Sequence, residues 1–168
     1  MAMEHMIGDL PDCKREIPDH ELAETIRDMR DESLEIPGYV RNRRGLWCLP
    51  YYLTLTTDIL PEIANGVGAS RGLSRLAPDT IWLLNVRESA DIHDVSYYCG
   101  GDAQDKYWAD IAFYHNLRHQ IYAGCRLLRW VRMIRARSYF WAVRTCGDRY
   151  FAWRGNDPRV QNRGDKKS

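Results

Sequence analysis

Three side chains that can move protons or bind metal ions lie close together near the middle of the chain. His93, Asp94 and Tyr97 belong to the segment His-Asp-Val-Ser-Tyr. Residues four apart share one face of an α-helix, so a helix here would direct His93 and Tyr97 the same way and turn Asp94 aside by about 100°. The pattern predicts a base on one helix face and a metal-binding carboxylate beside it.

A further carboxylate, Asp110, follows in the segment Tyr-Trp-Ala-Asp-Ile-Ala-Phe. The intervening Cys-Gly-Gly-Asp predicts a break between two helices, with Asp102 as the N-cap of the second and Asp105 as its capping-box partner. His93 and Asp110 would lie roughly 8 to 11 Å from this break, so an antiparallel helix pair brings them together. Asp110 would then accept a hydrogen bond from one ring nitrogen and leave the other as a general base for a water.

These residues resemble the catalytic core of phospholipase A2. The His-Asp-x-x-Tyr segment and the downstream Asp are similar to the disulfide-poor members found in viral capsid proteins and in bacterial or phage reading frames, over about residues 64–117. The resemblance implies that His93 activates the attacking water and that Asp110 orients His93. It also implies that Tyr97 supports Asp110, that Asp94 binds calcium, and that the substrate is a phospholipid membrane surface.

The calcium role requires more ligands, because calcium takes roughly six to eight oxygens and one carboxylate provides two. Phospholipase A2 uses backbone carbonyls from a glycine-rich loop upstream of the catalytic helix. Residues 65–72 read Asn-Gly-Val-Gly-Ala-Ser-Arg-Gly, so Gly66, Gly68 and Gly72 are the predicted contributors. No Gly-Lys-Ser/Thr follows, which argues against a nucleotide phosphate loop.

Two alternatives to a calcium-dependent phospholipid acyl-ester hydrolase stay open. One is a His-Asp type metal phosphohydrolase acting on nucleotides, which would bind a transition metal. That class needs a further upstream histidine and a distant Asp as ligands, whereas His5 and His20 lie in the unassigned N-terminal segment and Asp110 is close. The other is a non-enzymatic phage or bacterial structural protein that retains the helix pair as a scaffold. Whether the chain is an enzyme is therefore undecided at this level, with the hydrolase favoured.

The charges are unevenly distributed along a chain of 168 residues whose net charge is only +1. Residues 1–36 contain eleven Asp or Glu against four Lys or Arg, whereas residues 111–147 contain no acidic residue. This split predicts either an acidic N-terminal arm that packs on the basic part or a basic surface for an anionic partner.

An arginine-rich segment, 126–137, allows the same two interpretations. Packing, with the arginine stems reaching solvent or pairing with the acidic arm, is favoured. The alternative is contact with lipid headgroups or nucleic acid phosphates through Arg129, Trp130 and Arg132, and nucleic acid is the less expected partner.

Five scattered cysteines, without a Cys-x-x-Cys pair, predict neither a complete disulfide framework nor a structural zinc site. No stretch is long and apolar enough for a transmembrane helix, and the first residues lack the basic and apolar regions of a signal peptide. These features favour an intracellular or particle-associated protein with reduced thiols.

The expected fold is a mainly α single domain built around an antiparallel helix pair with a phospholipase A2-like core and a possible small β element. Its predicted parts are an acidic helical arm (1–36), a helical domain (37–155) and a disordered polar tail (156–168). Apolar spacing predicts helices over 21–29 (capped by Asp19), 57–64, 86–98, 105–122 and 127–143. Segment 39–57 is predicted to be a loop or a hairpin, and segment 150–153 a strand or a docking segment. Residues 81–84 are predicted to form an apolar wall. Trp82, Trp108 and Phe113 are expected in the core.

Overall fold

A computed structural model describes residues 17–64 and 80–154, and within them the fold is mainly helical, as predicted. The helices are α1 (Asp19–Arg30), α2 (Leu60–Ala64), α3 (Arg87–Cys99), α4 (Ala103–Ala123) and α5 (Arg129–Cys146). Short 3₁₀ turns cover Pro50–Thr54, Arg126–Leu128 and Gly147–Arg149. The predicted glycine-rich loop at 65–72 and the predicted tail at 156–168 lie outside the described residues.

Two small antiparallel hairpins accompany the helices. β1 (Val40–Arg41) pairs with β2 (Trp47–Cys48), and β3 (Thr80–Ile81) pairs with β4 (Leu84–Asn85). Segment 39–57, for which the sequence allows a loop or a hairpin, is therefore a hairpin followed by a 3₁₀ turn.

The α3–α4 connection has the predicted chemistry. The Asp102 carboxylate accepts hydrogen bonds from the backbone N–H groups of Gln104 (2.8 Å) and Asp105 (3.0 Å), and Asp105 Oδ2 accepts one from Asp102 N (3.0 Å). This capping box starts α4 directly after the turn, so α4 runs back antiparallel to α3.

The segment after α5 docks on this connection. Gly101 N donates to Ala152 O (3.1 Å), Arg154 N donates to Gly101 O (2.8 Å), and Ala152 N donates to Tyr97 O (3.1 Å). A Cβ at Gly100, where φ is +62°, would lie 1.8 Å from Ala152 O. Of the two predicted possibilities for residues 150–153, a strand or a docking segment, the structure has the docking segment. Glycine is needed at residue 100 because a side chain there would collide with the Ala152 carbonyl oxygen.

Helix α4 is the centre of the packing. It contacts α1, α3, α5 and β2, and buried residues occur on all its sides, as is typical of a helix enclosed by other elements. The core between α4 and α5 contains Ile111, Phe113, Tyr114, Leu117, Ala136, Tyr139, Phe140 and Val143. Phe113 is in this core and Trp108 packs partly buried against it, as predicted.

The first turn of α1 and the start of α2 differ from prediction. Asp19 is the first residue of α1 rather than its cap, because Pro18 occupies the cap position in extended geometry (φ −59°, ψ 147°). Asp19 still lies in the first turn, where an acidic side chain favours the helix dipole. Helix α2 begins only at Leu60, since residues 57–59 form a turn.

The predicted apolar wall at 81–84 is wrong, and Trp82 is not a core residue. Trp82 and Leu83 form the two-residue turn between β3 and β4, and their side chains extend into solvent. They are 61% and 95% exposed, while Ile81 before them is buried.

Contacts between the acidic arm and the basic helices support packing as one use of the charge asymmetry. The contacts are Arg144 with Glu21, Arg118 with Glu32, and Tyr107 Oη donating to Asp28 Oδ2 at 2.7 Å. They tie α1 and the residues after it to α4 and α5.

Candidate active site

The antiparallel pairing of α3 and α4 brings His93 and Asp110 together. His93 Nε2 lies 3.2 Å from Asp110 Oδ1, and the two residues are 5% and 0% exposed. The His93 ring is packed between Tyr97 (ring centroids 4.1 Å apart) and Phe113 (4.7 Å). Packing and the hydrogen bond thus fix the ring, and Nδ1 is the nitrogen that Asp110 does not engage.

Tyr97 belongs to the same cluster, because it follows His93 by one helical turn. Its hydroxyl donates to Asp110 Oδ1 at 2.7 Å, so His93 and Tyr97 share one carboxylate oxygen. Burial, and next the neighbouring Asp110 charge, raise the pKa of Tyr97 well above its ordinary value. Tyr97 therefore acts as a neutral donor. A Cβ at Gly147 would lie 2.3 Å from the Tyr97 hydroxyl, so this hydroxyl depends on a glycine there.

Sequence reasoning missed Lys106, which binds the other oxygen of Asp110. Lys106 is 0% exposed; its Nζ lies 2.9 Å from Asp110 Oδ2, 3.3 Å from Val143 O and 3.4 Å from Asp148 Oδ1. The signal was its position four residues before Asp110 on a helix. Such pairs are common on helix surfaces, but here the helix is enclosed.

Arg144 of α5 is a second buried cation that sequence reasoning missed. Its Nη1 lies 3.9 Å from Asp110 Oδ2, and its guanidinium pairs with Glu21 and stacks over the Tyr107 ring at 5.1 Å. Nothing in the local sequence pairs Arg144 with Asp110, because the contact depends on how α5 packs on α4.

The electrostatic balance keeps Asp110 ionised. Burial alone would raise the pKa of Asp110, but the Lys106 ammonium and the hydrogen bond from His93 outweigh burial and hold that pKa well below its ordinary range. At neutral pH, Asp110 is therefore a constant acceptor that can orient His93 and stabilise a proton on it.

Asp94, the predicted calcium ligand, lies half-buried on α3 beside this cluster. Burial, with a further contribution from the Asp91 carboxylate, raises the pKa of Asp94 to about 7. A nearby divalent cation would reverse this effect by favouring the charged form. Without such a cation, burial favours the protonated, neutral form of the Asp94 carboxyl below about pH 7.

Among residues 17–64 and 80–154, no group of three or more His, Cys, Asp or Glu side chains could hold a metal ion. The calcium role predicted for Asp94 requires further oxygen ligands. The predicted contributors Gly66, Gly68 and Gly72 lie outside the described residues.

The predicted lipid-contact residues, Arg129, Trp130 and Arg132, lie away from the contacts between His93 and Asp110. Arg132 is 5% exposed and donates to Trp82 O at 2.9 Å, so its guanidinium faces inward rather than toward a surface partner. Arg129 is half-buried and donates to Tyr122 O at 2.6 Å, whereas Trp130 is 75% exposed.

No family model, curated protein or solved structure matches the chain. No helix within the described residues is long and apolar enough to span a bilayer.

Proposed function

We propose that this protein is a calcium-dependent phospholipid acyl-ester hydrolase with a phospholipase A2-like site. The observation that carries the proposal is the shared carboxylate: Asp110 Oδ1 lies 3.2 Å from His93 Nε2 and 2.7 Å from the Tyr97 hydroxyl. An imidazole held by an ionised, buried carboxylate is the arrangement that activates a water molecule.

In the proposed reaction, His93 Nδ1 takes a proton from a water molecule while the water oxygen attacks the carbonyl carbon of the ester. Asp110 stabilises the imidazolium that forms, and Tyr97 and Lys106 hold Asp110 in position. The bond from the carbonyl carbon to the alcohol oxygen then breaks, and His93 returns the proton to that oxygen. The products are a fatty acid and a lysophospholipid.

Calcium, when bound, would supply charge stabilisation for the developing oxyanion and a contact for the phosphate. Asp94 is the side chain that would hold it, and because burial raises the pKa of Asp94 to about 7, calcium would displace a proton from this carboxyl below that pH. Backbone oxygens from the loop at Gly66, Gly68 and Gly72 would complete the ligand set, as the resemblance implies.

One observation favours the non-enzymatic alternative, namely the 5% exposure of His93. A base must reach water and substrate, so a permanently covered imidazole would be a scaffold residue. The nucleotide phosphohydrolase alternative gains no support from the described residues, where His20 is exposed and no three-residue ligand cluster occurs.

The decisive experiment is fatty acid release from phosphatidylcholine vesicles by the full chain, with calcium and with excess chelator. We expect release with calcium, loss of release in chelator and recovery when calcium is restored. Undiminished release in chelator would remove the metal role. No release with calcium would favour the scaffold alternative, and phosphate release from nucleotides with a transition metal would favour the phosphohydrolase.

A further inference from the structure

Large apolar side chains are exposed where α4 passes into α5. Leu127, Trp130 and Ile134 occur at intervals of three and four residues and therefore share one face of this helical stretch. Leu127 is 88% exposed and Trp130 is 75% exposed. The core side of α5 is occupied by other residues, such as Phe140, so these three side chains are not needed to pack α5.

The β3–β4 hairpin adds two more exposed apolar side chains at this end of the molecule. Trp82 and Leu83 occupy its two-residue turn with positive φ angles of 46° and 66°. Such turns favour glycine and asparagine, and bulky residues in this conformation are strained. Backbone strain of this kind persists mainly at sites where the side chains have a use.

Arg132 fixes the hairpin tip to α5. Its Nη2 donates to Trp82 O at 2.9 Å, and its Nη1 lies beside Gly124 in the α4–α5 connection. The turn that carries Trp82 therefore stays near the helical stretch that carries Trp130.

The charges within the helical stretch that carries Leu127, Trp130 and Ile134 are of one sign. Residues 111–147 contain no Asp or Glu. Arg126 and Arg137 are exposed, and Arg137 follows Ile134 by three residues and Trp130 by seven, which places it on their helix face. Tryptophan, leucine and arginine together suit a bilayer interface, where apolar groups enter the acyl region and guanidinium groups meet phosphates. Nucleic acid would attract the arginines but would not explain exposed leucines.

We propose that this end of the protein binds the surface of anionic lipid bilayers. The docking surface comprises Trp82, Leu83, Arg126, Leu127, Trp130 and Arg137. The proposal goes beyond the proposed function, since Trp130 lies about 20 Å along α5 from Val143, the α5 residue beside Lys106, and bilayer binding does not require hydrolysis. Apolar insertion supplies affinity for any bilayer, and the arginines supply the preference for negative headgroups.

The test is co-sedimentation of the full chain with vesicles of phosphatidylcholine, with and without phosphatidylglycerol. Binding is measured in chelator on a His93→Gln background, so that hydrolysis does not alter the vesicles. One double variant, Leu127→Ser with Trp130→Ser, removes the apolar contribution; the other, Arg126→Gln with Arg137→Gln, removes the charge contribution. Leu53→Ser and Arg43→Gln are matched controls at exposed positions elsewhere.

We expect the apolar double variant to bind both vesicle types roughly tenfold more weakly or worse. The arginine double variant should lose the preference for phosphatidylglycerol, and both controls should bind like the parent. Unchanged vesicle binding by both double variants overturns the proposal. It is also overturned if the parent binds duplex DNA in preference to vesicles, or if the double variants only dissociate a dimer.

Hydrolysis of a short-chain phosphatidylcholine below its micellar concentration separates this proposal from the proposed function. Such a substrate needs the His93 site but no surface. If the double variants hydrolyse it normally and still bind vesicles, only the docking surface is wrong. If the parent fails to hydrolyse it while the double variants lose vesicle binding, only the hydrolase is wrong.

Discussion

Lys106 and Asp110 form a buried ion pair on α4, with Nζ 2.9 Å from Oδ2, through the carboxylate oxygen that His93 does not use. Both side chains are 0% exposed. Because the pair is enclosed, Asp110 stays charged and its orientation is set from both oxygens. A change in the partners of either oxygen should therefore affect His93.

Replacing Lys106 by Met should impair both stability and rate. Asp110 would lose the cation that lowers its pKa, and breaking a buried pair costs about 3–5 kcal/mol, reduced here by Arg144 at 3.9 Å. The acid limb of the pH–rate profile should move to higher pH, since Asp110 protonates more easily. Asp148→Asn is the comparison, because Asp148 contacts Lys106 but has no part in the His93 hydrogen bond. A normal rate per folded molecule with an unshifted profile would show that Lys106 acts only on stability.

The two carboxylates should fail in different ways. Asp110→Asn should reduce the rate much more than calcium affinity, because Asp110 acts through His93, whereas Asp94→Asn should reduce both. Calcium titration and initial rates of the two folded variants make the comparison. Loss of calcium binding in Asp110→Asn, with normal binding in Asp94→Asn, would mean that the ligand and the orienting residue have been exchanged.

Without calcium, stability should depend on the ionisation of Asp94. Its pKa is about 7 in the folded protein and about 3.9 in an unfolded chain, so the folded state binds the proton more tightly. The stabilising contribution of the protonated form is complete below about pH 4 and disappears as pH rises to about 7. Urea unfolding at pH 5 and pH 7.5 should show this loss in the parent and not in Asp94→Asn. The same linkage requires calcium binding to release a proton below pH 7.

Tyr97→Phe should lower the rate by about tenfold and stability by about 1 kcal/mol, because it removes one donor from Asp110 and leaves the His93 contact in place. Tyr98→Phe is the matched control, since the neighbouring Tyr98 is 49% exposed. Equal rates for the two variants would leave Tyr97 with only a packing role against the His93 ring.

The sequence predicted best those parts of the fold that depend on neighbouring residues. The Asp102–Asp105 capping box and the antiparallel turn follow from a few adjacent positions, so His93, Tyr97 and Asp110 meet where helix geometry places them. Asp94 follows His93 in the same turn of α3, as the sequence requires.

What the sequence did not predict depends on distant packing. Lys106 looks like a surface partner of Asp110 until α5 covers it, and Asn116 Oδ1 accepts a hydrogen bond from Trp47 N, 69 residues away. Trp82 was expected in the core because of its apolar neighbours, yet the two-residue turn directs it into solvent. Apolar spacing alone could not distinguish a buried strand from such a turn.

The most direct measurement is fatty acid release by His93→Gln in the presence of calcium, beside His119→Gln, a control at an exposed histidine of α4. Glutamine at residue 93 cannot act as the base, so we expect turnover to fall to background, whereas His119→Gln keeps normal activity. Because His93→Gln also loses ring packing against Tyr97 and Phe113, rates are compared per folded molecule. Turnover by His93→Gln equal to that of the parent would contradict the proposed role of His93 and the hydrolase that depends on it.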